Sequence, residues 1–267
     1  MGDKSQNSAE QWRTRGEFKT VLGHSIFVVD EGAADLPTIL LLHGFPTSSW
    51  DWQPIWGELA KQYRLVALDM LGFGFSDKPN NRGYTIHGQA DIVDALVETM
   101  QLERFHVLAH DYGDTVAQEL LARQLEGSGN GIWLSCCFLN GGLFPETHHA
   151  LLTQRLLMSP IGELVNRLAG YKGFCRNFSS VFGDKTKPTE QELQTFWQLI
   201  NINEGKHIFH NLITYMRDRI QHRERWVSAL QQSSIALGVI NGSIDPVSGA
   251  HMVCLLYTSD AADDSLR

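Results

Sequence analysis

The stretch LAHDYGDTVAQ, residues 108–118, places Asp111 between a strand-like and a helix-like run, with Ala109 two residues before it and Gly113 two after. Small neighbours at those two spacings are what a strained strand-to-helix elbow requires when it projects a nucleophile. A carboxylate in that place needs no activating base: ionised, it can displace at saturated carbon, leaving an alkyl ester that water must then cleave. The helix that follows points its positive N-terminus at Asp111, which favours the carboxylate and, later, an anionic intermediate. Taken alone, Asp111 reads equally well as the N-cap of that helix.

Three other stretches belong to the same chemistry. HGFP (43–46) directly follows a strand run. A loop there supplies one oxyanion-hole N–H and the residue after the nucleophile supplies the other, so Phe45 and Tyr112 are the candidate donors. NGSIDPV (241–247) follows the last strand run and puts Asp245 where an acid that orients a base is expected, although an Asp-Pro turn has the same signature. LDMLGFGFSDKP (68–79) contains GFGFS, which lacks the third glycine of a dinucleotide fingerprint and has no helix after it. It reads as a tight rim loop, and no cofactor is expected.

These residues must be held by a sheet. FKTVL (18–22) and SIFVVD (25–30) read as a hairpin around Gly23, followed by TILLL (38–42), RLVALD (64–69), FHVLAH (105–110), WLSCCFLN (133–140) and SIALGVI (234–240). Runs without strict alternation suit strands covered on both faces. Helical stripes fall between them: Val93, Leu96, Val97 and Met100 within 85–100, and Ala117, Leu120, Leu121 and Leu125 within 114–125. Strands alternating with helices imply a mostly parallel sheet whose site lies at the carboxyl ends of the strands.

From about 147 to 230 the strand signal disappears. HHALLTQRLLMSPIGELVNRLAG, TEQELQTFWQLININ and IFHNLITYMRDRIQHRERWVSAL each read as a helix, the second opened by Pro188 and a capping box of Thr189 and Glu192. A helical block inserted before the last strand is a lid. The organisation is therefore a polar, disordered leader (1–17), an α/β core (18–146), a helical lid (147–230), a return to the core (231–250) and an atypical tail (251–267).

The net charge of −8 and the pI near 5.7 disfavour nucleic acid and anionic membrane surfaces, which want a basic footprint. A small apolar substrate fits better. Neither metal spacing nor a disulfide framework is visible among the four cysteines, so free thiols and no metal are expected. The leader contains no apolar core of signal-peptide length, and the expectation for the chain as it stands is cytoplasmic.

HGFPTSSWDW, LDMLGFGFSDKP, HDYGDTVAQELL and NGGLFPETH, in that order, with a lid and a late Asp245, resemble the epoxide hydrolase and haloalkane dehalogenase branch of the α/β-hydrolases. Within that branch they look most like the mesoderm-specific transcript group, over roughly residues 18–250. The resemblance implies an α/β-hydrolase fold with Asp111 as nucleophile, Phe45 and Tyr112 at the oxyanion hole, and Asp245 orienting a histidine base. It further implies a lid tyrosine that hydrogen-bonds an epoxide oxygen. Tyr215 is the best match, Tyr171 the nominee for a second, and Tyr215 could equally pack its helix. A departing halide is cradled instead by N–H donors such as a Trp after the nucleophile; Tyr112 stands there, which favours epoxide opening. A binding protein on a hydrolase scaffold is the alternative from another class. Asp114 leans that way, because the branch usually has Gly there and a second carboxylate would disturb the first. The resemblance also allows association with the endoplasmic reticulum.

His251 follows Asp245 by six residues, too few for the strand and helix expected before the base, and His43 and His110 sit at the oxyanion loop and the elbow. CLLYTSDAADDSLR (254–267) reads as translated adapter sequence and is left out of fold reasoning. On this reading the last core strand, its helix and the base lie outside the chain, so Asp111 would be alkylated but not released.

Overall fold

The structure is a computed structural model that describes residues 9–80, 83–147, 152–243, 245 and 248–258. Helix α1 (Ala9–Thr14) leads into the hairpin β1 (Gly16–Val21) and β2 (His24–Glu31), then β3 (Thr38–Leu42), α2 (Gln53–Leu59), β4 (Arg64–Leu68), α3 (Ile86–Thr99), β5 (Arg104–His110), α4 (Tyr112–Glu126) and β6 (Ile132–Leu139). The helical segment contains α5 (Leu152–Leu157), α6 (Gly162–Leu168), α7 (Tyr171–Ser179), α8 (Glu190–Asn201), α9 (Phe209–Leu212), α10 (Tyr215–Gln221) and α11 (Arg223–Gln232). Strand β7 (Ala236–Ile240) and helix α12 (Ala250–Thr258) follow.

Among the described residues, seven strands make one sheet in the order β1, β2, β4, β3, β5, β6, β7. The hairpin pairs antiparallel, as does β2 with β4, and every other neighbouring pair is parallel. The period of two along each strand sorts side chains to opposite faces. Leu40, Leu42, Val66, Leu68, Val107 and Ala109 enter a core shared with Val93, Leu96, Val116, Leu120 and Trp226, whereas Ile39, Leu41, Leu65 and Ala67 enter another with Trp12, Trp56 and Leu199. Both faces are covered, as the unbroken apolar runs predict. The chain leaves β3 toward β4 on one side and resumes at β5 on the other, so the crevice between diverging connections opens at the carboxyl ends of β3 and β5.

The leader is ordered from Ala9 rather than disordered. Trp12 is buried, its indole N–H donates to Ser49 Oγ at 2.9 Å, and its ring meets Trp56 edge-on at 5.0 Å. Arg15 completes the anchor with two bonds to Glu31, at 2.7 and 2.6 Å. Residues 1–8 lie outside the described residues.

The capping box of α8 forms as expected, with Glu192 N–H donating to Thr189 Oγ1 and Thr189 N–H to Glu192 Oε2. The other two predicted lid helices are broken: Ser159–Ile161 separates α5 from α6, and α9, α10 and α11 are separate pieces. Helix α11 packs on the core rather than over it, since Trp226 and Arg225 both bond Glu119 of α4. The tail also departs from expectation. Helix α12 runs into CLLYT, Met252 is fully buried and Leu255 packs against the core, while 259–267 lie outside the described residues.

Candidate active site

Strand β5 ends at His110 and α4 begins at Tyr112, so Asp111 alone makes the turn, with φ 49° and ψ −101°. That conformation is strained for a residue with a Cβ and persists only when its surroundings fix it. Here Asp111 N–H donates to Leu139 O at 3.1 Å, and Gly113 N–H donates to His43 O at 3.0 Å. A Cβ on Gly113 would stand 2.4 Å from Leu42 O, so helix α4 approaches β3 this closely only with glycine there. The N-cap alternative fails on geometry: the Asp111 side chain makes no bond to α4, and its Oδ2 accepts the Phe45 N–H at 2.9 Å. Tyr112 supplies the first N–H of α4, one of the donors that a helix leaves without an internal partner.

His43 is excluded as a base by its own bonds. Its Nε2 accepts the Met70 N–H at 3.0 Å, so the ring carries its proton on Nδ1, which donates to Gly44 O at 2.8 Å. Burial lowers its pKa further, against the charges of Asp69 and Asp51, and the ring is a neutral strut under the oxyanion loop. The adjacent rim loop is tied to it through Asp69, which accepts Ser49 N–H and Phe75 N–H, each at 2.7 Å. GFGFS is thus wrapped around a carboxylate rather than opened toward a phosphate.

Aromatic rings line the crevice above Asp111. Phe45 lies 6.3 Å from Phe73, 5.6 Å from Phe209 and 6.1 Å from Tyr215, and Tyr112 lies 5.3 Å from Phe73. Tyr215, at the start of α10, meets the Tyr112 ring edge-on at 4.8 Å and is fully buried. Burial, and then the charge of Asp111, push its phenol above the usual range, with Arg219 opposing. Tyr171 is elsewhere: its hydroxyl donates to exposed Glu190 at 2.7 Å and its ring packs on Trp197, so it is not the second phenol of this crevice.

At the far edge, Asp245 Oδ2 accepts Asn140 Nδ2 at 2.8 Å and Ser248 Oγ at 3.2 Å. His110 connects the two halves. Burial works against protonating its ring, but Asp51 beside it, with the charges of Asp111 and Asp245, outweighs that and raises its pKa. Its Nδ1 stands 3.9 Å from Asp51 Oδ2. The elbow histidine is therefore flanked by three carboxylates, an arrangement that spacing alone did not suggest. His251 falls in the first turn of α12.

Asp114 is buried beside the elbow. Its Oδ1 accepts Leu139 N–H at 3.4 Å, and its Oδ2 has no hydrogen-bond partner and occupies the space where a Cβ on Gly141 would be. Burial, then Asp111, push its pKa well above the carboxylate range, and Leu139 N–H and Arg219 do not offset them.

Several site residues were not singled out from the sequence: Asn140, Asp51, His110 as the neighbour of three carboxylates, and Arg219, which is buried between the lid and the elbow. Asn140 carried a signal, as the residue directly after a strand at the active edge. All four cysteines are free, and no cluster able to hold a metal occurs among the described residues.

The sequence profile of the α/β hydrolase fold matches residues 37–126. The crystal structure of haloalkane dehalogenase DbeA from Bradyrhizobium elkani has a TM-score of 0.74 to this chain at 23% identity, covering 90% of this chain and 85% of that one. Fold and elbow thus define the class, that of the α/β-hydrolases. Among curated proteins, mesoderm-specific transcript protein of Mus musculus is 46% identical over 245 residues, 89% of this chain and 73% of that protein. Its Homo sapiens homologue is 45% identical over the same shares. The chain belongs to the mesoderm-specific transcript family of α/β-hydrolases. No described helix is long and apolar enough to cross a membrane.

Proposed function

We propose that this protein opens small apolar epoxides, with Asp111 as nucleophile. One Asp111 oxygen attacks an epoxide carbon, the C–O bond of the ring breaks, and Tyr215 gives its phenolic proton to the departing oxygen. The observation that carries the reading is the Phe45 N–H held 2.9 Å from Asp111 Oδ2 at a turn that only its surroundings stabilise. Oδ2 is then the carbonyl oxygen of the alkyl ester. When water attacks that ester, the new negative charge forms on an atom already facing the Phe45 donor and next to the Tyr112 N–H. The second step requires a base on that water, oriented by Asp245 in this family arrangement.

The aromatic rings packed about the elbow favour an apolar ring or chain over a charged substrate. Tyr112 offers no indole donor to a halide, and Tyr215 offers an O–H to an oxygen, so the arrangement favours epoxides over haloalkanes.

Incubation with styrene oxide should add one substrate mass to the Asp111 peptide, and Asp111→Asn should remove the label completely. Tyr215→Phe should slow labelling by roughly 10²-fold or more, the usual weight of a positioned proton donor. Unlabelled wild-type protein, or label that persists in Asp111→Asn, would overturn the reading. Release of diol in the same incubation reports separately whether a base completes the cycle.

A further inference from the structure

Away from the elbow, the start of α7 and the second half of α8 enclose a concavity of about 340 Å³ lined by Tyr171, Gln194, Trp197, Gln198 and Asn201. None of these five residue types is charged at neutral pH, and none has a part in the reaction proposed above. Spacings of four and three put the amides of Gln194, Gln198 and Asn201 on one face of α8 beside Trp197, with Tyr171 facing them from α7. The Tyr171 and Trp197 rings, both half-buried, stand 6.0 Å apart at 56°, a corner of two aromatic walls rather than a stack. The corner is fixed before any ligand arrives. Phe174 lies 5.3 Å from Trp197 and stacks on Phe178 at 5.0 Å, Phe178 meets Phe196 at 4.9 Å, and Phe196 meets Trp50 at 4.8 Å, so the walls are tied ring by ring to the core. Rings already held in place cost little to order on binding.

The surroundings select the sign of the ligand. Tyr171 Oη donates to Glu190 Oε1 at 2.7 Å, and Gln194 Nε2 donates to the same oxygen at 3.2 Å, so a carboxylate stands directly behind two of the lining residues. A phenol that donates to an anion has a more electron-rich ring, and the face of such a ring, like that of an indole, attracts a cation. Gln194 and Asn201 each spend an N–H on the protein, Asn201 on Trp197 O at 2.6 Å, so each presents its oxygen to a ligand more readily than its N–H. A primary ammonium is strongly hydrated and keeps its water. A quaternary one has no N–H to satisfy and spreads its charge over methyl groups, which suit an aromatic corner.

We propose that the α7–α8 concavity binds a quaternary ammonium group of the choline type, seated against Tyr171 and Trp197 with Glu190 as the anion behind them. The site is separate from the elbow and does not depend on the reaction assigned to Asp111.

Choline and 3,3-dimethylbutanol have the same shape and differ in one charge. Titration of the protein with each, followed by the methyl protons of the ligand in NMR, should give a saturable upfield shift for choline, with the neutral analogue binding roughly 10-fold or more weakly. Gln198→Lys places a positive charge at an exposed lining position and should abolish choline binding while leaving the rings as they are. Trp197→Leu should weaken binding by roughly 10-fold or more, and Glu190→Gln by about 3-fold. Should Trp197→Leu fail to fold, Gln198→Lys and Glu190→Gln make the same comparison. Co-sedimentation with phosphatidylcholine vesicles, reversed by free choline, would identify a lipid headgroup as the source of the cation, and choline binding without co-sedimentation a soluble quaternary amine. No saturable shift with choline, equal affinity for the neutral analogue, or choline binding that survives Gln198→Lys would overturn the proposal.

Discussion

The helix that carries the elbow is fastened to α11 in part through one buried carboxylate, and its contribution can be worked out. Glu119 of α4 is 1% exposed and accepts Arg123 Nε at 3.0 Å, Arg225 Nε at 2.9 Å and Trp226 Nε1 at 2.8 Å. Burial opposes its ionisation, but the bonds from Arg225, Trp226 and Arg123 outweigh burial and lower its pKa from 4.5 to about 2. A group depressed in the folded state stabilises fully above its unfolded pKa and loses that contribution as pH falls through the folded one. The window is therefore pH 4.5 down to about 2. At about 1.4 kcal/mol per unit the shift corresponds to ~3 kcal/mol, and to ~2 kcal/mol once the water reaching Arg225 is allowed for. Glu119→Gln should cost about 2 to 3 kcal/mol at neutral pH, because two guanidinium groups lose their buried anion while Arg123 keeps Asp91 and Asp94 and Arg225 keeps Glu126. Urea unfolding of wild type and Glu119→Gln at pH 7, 4 and 2.5 measures the gap directly. The gap should narrow by ~2 kcal/mol across that range. A gap that stays constant would mean that Glu119 is not the charge that joins α4 to α11.

Two further outcomes test the surroundings of the elbow. A carboxyl raised by burial loses stability for the fold as pH climbs above its unfolded value, 3.8 for Asp114, because the unfolded chain releases the proton that the folded one keeps. Asp114→Asn should abolish that slope and be more stable than wild type at pH 8 relative to pH 4; parallel pH profiles in urea unfolding would show that Asp114 is charged. Lys78 Nζ donates to Gly74 O, to Leu199 O at 3.3 Å and to Ile202 O at 2.7 Å, joining the rim loop to the end of α8. Lys78→Met should cost about 2 kcal/mol and speed hydrogen exchange at residues 199–206 while the sheet stays protected. Unchanged exchange there would remove Lys78 as the tie between lid and core.

Much of this architecture was legible because it depends on local rules. The elbow is written in Ala109 and Gly113, where a larger side chain would collide with the neighbouring strand, and the start of α8 in Thr189 and Glu192, which satisfy each other's donors. The unread parts depend on partners remote in the chain. Trp12 sits in a polar stretch with no periodicity, and α1 is held by Ser49 and Trp56, which its own sequence does not reveal. Two runs read as single lid helices have the right apolar spacing, yet one breaks where Pro160 interrupts the turn and the other splits into α9, α10 and α11. Nothing in its own helix singles out Arg219, because composition cannot show that Tyr215 and Asp111 stand beside it.

The role of Asp114 follows from the same distinction between composition and place. From the sequence, a second carboxyl three residues after the nucleophile argues against catalysis, since two like charges that close raise each other's pKa. In the fold the two are not equivalent. Asp111 faces the oxyanion loop and accepts an N–H, whereas Asp114 faces the missing Cβ of Gly141 with one oxygen unpartnered. Burial, and then the charge of Asp111, therefore push the Asp114 carboxyl up, because a charge there would be costly. In that position Asp114 does not compete with Asp111 for the Phe45 donor, because its own oxygen accepts from Leu139 N–H instead. The residue that most suggested a silent scaffold thus leaves the nucleophile's own contact with the oxyanion loop intact.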